Sequence, residues 1–474
     1  MNSIFLILVA YVSCLAVLGI FLSSRVKDPS AYYVASRQLP AFLLAATLLA
    51  ANIGAGSTVG ATGLGYQSGL SAWWWVGSAG IGSLLLGLVV GPKLWEVASS
   101  RQLYTIGDYL EYRYSRTLRI VTAILITVGG LSILSGQFLA MAWILSATLG
   151  IPNWLGCLLG GVVVATYASV GGLYAAVWIN LIQVTVKIAG FSLAVFYTIG
   201  NLGSWHNLQN SIQNSVPGNG LPTDYFLWWG GGFPQVFSFL VLIAPSFIVS
   251  PGILQKVYGA QSRVAVRKGV LLNAAGLLLF AAFPPLLGMA ARALMPELPH
   301  RELALPMLLL HGMPAWIGAI TLAAIFSAEL GAADAVLTMI SSSFVNDILR
   351  TGCGWAVSDR RFLFWTRLTS LGTGVLGVFL AMKIPSVLSG LTFFYSLLTV
   401  ALLSPIVAGL YWARVRAHGA LCSMAVGITA TLFVQQRTAG AGFGVLSPVA
   451  VGVCCSAITL VTVTWLESSV RDTR

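Results

Sequence analysis

Apolar residues run through this chain in long blocks separated by short polar joints. Thirteen blocks stand out, at roughly 3–23, 42–66, 71–92, 118–148, 153–170, 174–199, 233–257, 269–293, 313–347, 362–382, 386–411, 418–436 and 444–466. At 1.5 Å rise per residue, a helix of about 20 residues crosses the hydrocarbon core of a bilayer. The pattern predicts an all-α polytopic membrane protein with about thirteen transmembrane helices. Two blocks are poor helices in their middle. Leu43–Tyr66 reads LLAATLLAANIGAGSTVGATGLGY, and the residues after Asn52 hold a helix weakly. The block at 233–257 reads FPQVFSFLVLIAPSFIVSPGILQKV, with interruptions expected at Pro245–Ser246 and again at Pro251–Gly252. Unwound backbone persists in a membrane only where protein or a water-filled cavity satisfies it. Transporters use such breaks to hold ions on freed carbonyls and substrates at half-helix N-termini. The two blocks are five helices apart and so enter from opposite sides. That spacing predicts a 5+5 inverted repeat, 42–199 and 233–411, with the site between the halves. One extra helix precedes the repeat (3–23) and two follow (418–466), in a single domain spanning 1–474.

Composition agrees. The chain is 57% hydrophobic and 8% charged, where soluble domains carry about 25% charge; its mean hydropathy is +0.88. The net charge of +12 does not mark a nucleic-acid binder, because the basic residues are spread among short loops. Of the 25 Lys and Arg, 20 fall in loops that share one side if the N-terminus is outside. The expected orientation is therefore N-terminus outside and C-terminus cytoplasmic, in the plasma membrane. The first block lacks a basic leader and is followed by Arg25 and Lys27, so it reads as a retained span. Trp228 and Trp229, in the external segment 200–232, suit an interfacial belt. Six cysteines form no CxxC pair and lie mostly in apolar runs, which predicts neither a disulfide framework nor a metal site. The HExxH, GxSxG and GxxxxGK[ST] signatures are absent and GAGSTVG has the wrong spacing for a dinucleotide site, so an enzyme is not expected. A channel would need a pore ring from a symmetric assembly, against which the inverted repeat speaks. The expected partners are a small-molecule solute and the lipid bilayer, with no nucleic acid and no obligate protein partner.

Several stretches, in order along most of the chain, carry a family resemblance: PSAYYVASRQLP (29–40), YTIGDYLEYRYS (104–115), GGLYAAVWINLIQ (171–183), LQKVYGAQS (254–262) and AAIFSA (323–328). Together they resemble the solute:sodium symporter family, which has the leucine-transporter (LeuT) fold. The resemblance implies cation-coupled symport by alternating access, with Na+ as coupling ion. It places the sodium ligands at carbonyls of Ala50 and Ile53 on the first core helix and at Ala324, Ser327 and Ala328 on the eighth. A hard cation wants oxygen ligands; a hydroxyl common in the family at the last position is replaced here by Ala328. Asn180 stands where many members have an Asp, and Leu330 and Gly331 stand where a second sodium would need hydroxyls.

Lys187 is an addition to the family pattern. It lies mid-span, seven residues and about 10 Å from Asn180 on one helical face. Asp334 is seven residues beyond Ser327, also on one face, which predicts that Lys187 lies level with Ser327 beside the sodium position. Glu329, about 200° around the helix from Ser327, is expected to face elsewhere. Intramembrane charges are functional candidates by default, and an ammonium can replace a sodium ion electrostatically. The alternative is thus a Na+-independent, H+-coupled transporter or exchanger with Lys187 in place of sodium; a structural Lys187–Asp334 pair is the bland reading. An alternative of another class is a membrane sensor with a symporter-like domain.

The solute is expected across the two breaks, against Asn52, Gly56, Ser57, Thr58, Ser246 and Phe247, with Trp75 as a wall. Sugar-transporting members resemble this chain at AANI (50–53) but place Gln at Ser57 and Glu at Val76. Losing both polar partners argues against a hexose. Glycine amides at a half-helix N-terminus favour a carboxylate or amino-acid-like compound.

Overall fold

The computed structural model describes residues 3–23, 29–215, 221–355 and 358–472. Arg25, Lys27 and the C-terminal Arg474 lie outside the described residues. The described chain is helical throughout, with two isolated β-bridges, Leu39–Ala260 and Phe443–Leu446. Ten of its helical segments are long and apolar enough to cross a membrane, and three shorter apolar helices cover Val9–Gly19, Ala41–Asn52 and Asn153–Val164. This is a multi-pass membrane protein.

The helices that build the centre are α1 (Ser3–Ser23), α2 (Ala41–Asn52), α3 (Ala61–Ser68), α4 (Trp73–Leu85), α5 (Arg116–Leu149), α6 (Asn153–Leu202), α7 (Gly232–Val249), α8 (Pro251–Tyr258), α9 (Arg263–Phe280), α10 (Phe283–Leu294), α11 (Ala315–Ser343), α12 (Asp359–Ala381) and α13 (Val387–Tyr411). Two further helices, Ala417–Arg437 and Pro448–Asp472, pack on each other and on α13. The middle of the molecule belongs to α11. It is buried almost end to end and packs on α1, α2, α5, α6 and α12.

Local sequence explains where helices stop. The first block breaks after Asn52: Ile53 is extended (φ −89°, ψ 92°), and helical winding resumes as a wide turn over Gly56–Gly60 before α3. The second break falls at Ser250 (φ −56°, ψ 120°), with Pro251 opening the next half-helix, a position where the missing N–H costs nothing. The interruption expected at Pro245 does not occur, and Pro245 lies inside α7. A proline in a membrane helix persists where neighbours cover the carbonyls it frees. The carbonyl it frees is that of Val241, and one residue on the Thr399 hydroxyl donates to the Leu242 carbonyl at 3.2 Å, which ties this stretch of α7 to α13. The block at 269–293 is instead divided between α9 and α10, where Pro284 and Pro285 open the second helix. The two blocks expected at 153–170 and 174–199 form one helical stretch, α6, enclosing the apolar segments Asn153–Val164 and Leu173–Asn201.

One end of the bundle is held by charge. Arg119 of α5 is 2.5 Å from Asp108, 2.5 Å from Glu111 and 2.8 Å from Asp347. Asp108 and Glu111 lie on the short helix Ile106–Arg113, and Asp347 on the wide turn Phe344–Gly352 that follows α11. Asp347 is fully buried and also accepts from Thr105 (2.8 Å) and Ser343 (2.8 Å). Removing one member of a buried ion cluster strands the others, at ~3–5 kcal/mol. Arg119→Met is therefore expected to lower the thermal midpoint of the purified protein strongly. An unchanged midpoint would show that the cluster does not hold this end.

Candidate functional site

The first break is a set of backbone groups released from helical bonding, each met by a specific partner. The Ala55 N–H donates to Gln137 Oε1 of α5 at 2.9 Å. The Gly54 N–H donates to Ser57 Oγ (3.0 Å), and the Ser57 hydroxyl donates to the Asn52 carbonyl (3.0 Å). The Thr58 hydroxyl stands 3.0 Å from the Gly54 carbonyl and 2.8 Å from Glu329 Oε1 of α11.

Two freed carbonyls take a charged partner. Lys187 Nζ of α6 donates to the Ala50 carbonyl at 2.6 Å and to the Ile53 carbonyl at 3.0 Å. The side chain is fully buried. Its approach is open because residue 331 of α11 is glycine: a Cβ there would lie 2.5 Å from Gln183 Oε1, 3.2 Å from the Ala50 oxygen and 3.2 Å from Lys187 Nζ. Glu329 lies within electrostatic range of Lys187 without a direct ion pair among the described residues. These two carbonyls are the pair that the family resemblance implies as sodium ligands. With the ammonium bonded to both, they do not fit a sodium ion as arranged here.

The remaining expected cation ligands lie around them. Ala324 packs toward Gly190 of α6, and Ala328 is fully buried. Ser327 turns to α1, where its hydroxyl accepts from Tyr11 Oη at 2.9 Å. Glu329, expected to face away from the site, instead meets Thr58 on the broken helix. Both placements have one geometric cause. The face of α11 toward the break carries Ala332, whose Cβ sits against Gly54, and Ala328 is one turn before it on the same face. Ser327 and Glu329 flank Ala328 by about 100° on either side.

Asn180 and Asp334 line a common small cavity, with Gln255, Lys256 and Thr338. Lys187 is not paired with Asp334: its partners are the two carbonyls.

Between the two breaks lies a small cavity of about 80 Å³. Asn52, Gly56, Ser57, Trp75, Ser246 and Phe247 line it; Thr58 does not. Several of these polar groups are already bonded within the protein. Asn52 Nδ2 donates to Asn273 Oδ1 (3.1 Å), and Ser246 donates to the Ile243 carbonyl (2.8 Å). Tyr395, Phe394 and Leu391 close an aromatic and aliphatic wall opposite, where Trp75 and Phe247 both meet Tyr395. Trp73 and Trp74 leave the cavity and cluster with Trp228 and Trp229.

The sequence reading missed Gln137, Gln183 and Lys256. Gln137 is the lone amide of its apolar span and Gln183 stands three residues beyond Asn180, which were usable signals; Lys256 sits near the end of its block among basic loop residues and looked like one of them.

Interrupted helices around a buried central cavity, in an all-helical membrane bundle, define a membrane transporter. The sequence model of the Sodium:solute symporter family matches residues 32–427, and the chain belongs to that family. Its relatives include the sodium/pantothenate symporters of Haemophilus influenzae (28% identical over 411 residues, covering 85% of this chain and 84% of the relative) and Escherichia coli (27% over 413 residues, covering 85% of each). Among solved structures, a Na+-coupled sialic acid symporter in a substrate-bound outward-open state superimposes with a TM-score of 0.84 at 18% identity, covering 98% of both chains. The fold is thus LeuT-like.

Gln137→Leu removes the acceptor of the Ala55 N–H and leaves a buried donor unmet, at about 1–3 kcal/mol. A lowered thermal midpoint, recovered by Gln137→Glu, is the expected outcome. Equal stability of the leucine and glutamate variants would mean that this bond does not hold the break.

Proposed function

We propose that the protein is a cation-coupled secondary active transporter that moves a small polar solute, a carboxylate or amino-acid-like compound, across the plasma membrane by alternating access. The observation that carries this reading is the central cavity framed by the breaks at Ile53–Ala55 and Ser250. In this reading the chain is one transporter domain with thirteen spans. Residues 42–199 and 233–411 form opposed five-helix halves, the N-terminus is outside, and the C-terminus is cytoplasmic. The basic loops support that orientation. The solute sits against Asn52, Gly56, Ser57, Trp75, Ser246 and Phe247. Binding of cation and solute must favour the rocking state over the resting one, since ligands shift equilibria only through differential affinity.

Family membership and relatives named as sodium symporters support Na+ as the coupling ion. A second reading rests on one observation, the bonds from Lys187 Nζ to the Ala50 and Ile53 carbonyls. There the ammonium supplies the positive charge that sodium would bring, the chain runs without sodium, and H+ coupling or exchange replaces it. The geometry favours this second reading at the Ala50–Ile53 position.

Sodium and potassium chloride titrations of thermal stability separate the two. A ligand of the folded state stabilises it by RT ln(1 + [L]/Kd), about 2.7 kcal/mol at 100 Kd. Wild type is expected to show no sodium-specific stabilisation. Lys187→Ala strands two buried carbonyls, at roughly 1–3 kcal/mol each, and is expected to melt earlier and to gain a response to sodium over potassium. Sodium-specific stabilisation of wild type, with none gained by Lys187→Ala, would return the reading to sodium coupling.

A further inference from the structure

A second buried lysine faces the solute cavity. Lys256 lies on α8, just past the Ser250 break, and is 5% exposed. It borders the central cavity on one side and the small Asn180–Asp334 cavity on the other. Among the described residues its ammonium meets one acceptor, the Gly252 carbonyl of its own helix at 3.5 Å. That distance is beyond the usual hydrogen-bond range. A lysine ammonium carries three donors, and a buried charge without close partners is costly. Asp334 is within electrostatic range but makes no direct ion pair with it.

The rest of the cavity wall sharpens the point. Among its lining residues Lys256 is the one charged side chain, and none is Asp, Glu, Arg or His. The Asn52 amide, the Ser57 hydroxyl and the Ser246 hydroxyl already donate inside the protein. The Gln137 carbonyl oxygen is taken by the Ala55 N–H. What the cavity offers an incoming solute is therefore one charged group, the underused Lys256 ammonium, with neutral polar groups of Gln137, Ser250 and Tyr395 and an aromatic wall of Trp75, Phe247, Phe394 and Tyr395. A positively charged solute group would find no carboxylate among these lining residues.

We infer that the solute is a monocarboxylate anion with an apolar body, and that Lys256 is the residue that binds its carboxylate. This rests on the transporter reading above and narrows its solute class.

The test is thermal stabilisation of the purified full chain by three sets of compounds. Monocarboxylates with an apolar body are represented by butyrate, 3-methylbutanoate and phenylacetate, zwitterions by proline and phenylalanine, and neutral compounds by glucose and phenylacetamide. Wild type is expected to be stabilised by at least one monocarboxylate and not by the neutral or zwitterionic set. Lys256→Gln should weaken that monocarboxylate about tenfold or more, as expected for loss of a charge-assisted bond, and Lys256→Arg should retain the preference for anions. Stabilisation of wild type by a neutral or zwitterionic compound alone would overturn the inference while leaving the transporter reading standing. Undiminished monocarboxylate binding in Lys256→Gln would overturn the role of Lys256. A response to none of the three sets would count against both the inference and the solute-binding reading of the cavity. If the glutamine variant does not fold, the charge preference of wild type decides by itself.

Discussion

A helix that stops inside a membrane releases carbonyl oxygens that water cannot reach, and this structure depends on how those oxygens are met. Each unmet backbone group in hydrocarbon costs several kcal/mol. At the Ala50 and Ile53 carbonyls the partner is the Lys187 ammonium, which is fully buried and bonded to both. The ammonium and the carbonyls stabilise one another, since neither is affordable alone in that setting. The remaining groups of the break are matched in the same manner by Gln137, Ser57 and Thr58. The unwound segment is thereby held in shape, and it forms one wall of the central cavity beside it.

The same requirement organises α11. Small residues bring it close to its neighbours: Gly331 admits Lys187 and Gln183, and Ala332 rests against Gly54. Its polar residues then point to different neighbours. Ser327 meets α1, Glu329 meets the broken helix, and Asp334 lines the small cavity with Asn180 and Lys256. One helix thus borders the carbonyl pair, the central cavity and the small cavity at Lys256. Two buried lysines lie along it, Lys187 at Gly331, bonded to backbone, and Lys256 beside Asp334, with donors to spare.

Much of this was legible in the sequence, for identifiable reasons. Glycine, serine and threonine in the middle of an apolar block mark a break because they neither hold a helix nor fill a membrane interface. A lysine seven residues from Asn180 stood out because charge is rare in such blocks. The legible part ended where helix rotation mattered. Placing Ser327 at the centre of the α11 face put Glu329 behind it; the true centre is at Ala328 and Ala332, and a shift of about 100° reverses both assignments. Pro245 was read as a break because proline removes a helical donor, yet α7 continues through it; sequence cannot show the packing that lets a membrane helix pass a proline. Lys256 was hidden by its company: basic residues near a block's end look like loop charges until packing shows what surrounds them.

The Lys187 ammonium occupies the carbonyl pair that the family resemblance implies for sodium. The most direct measurement is an experimental density map of the wild-type protein prepared in sodium-rich and in sodium-free buffer. The same picture is expected in both: side-chain density for Lys187 reaching the Ala50 and Ile53 carbonyls, and no ion between them. An ion at those carbonyls in sodium-rich buffer, with Lys187 turned away, would contradict it.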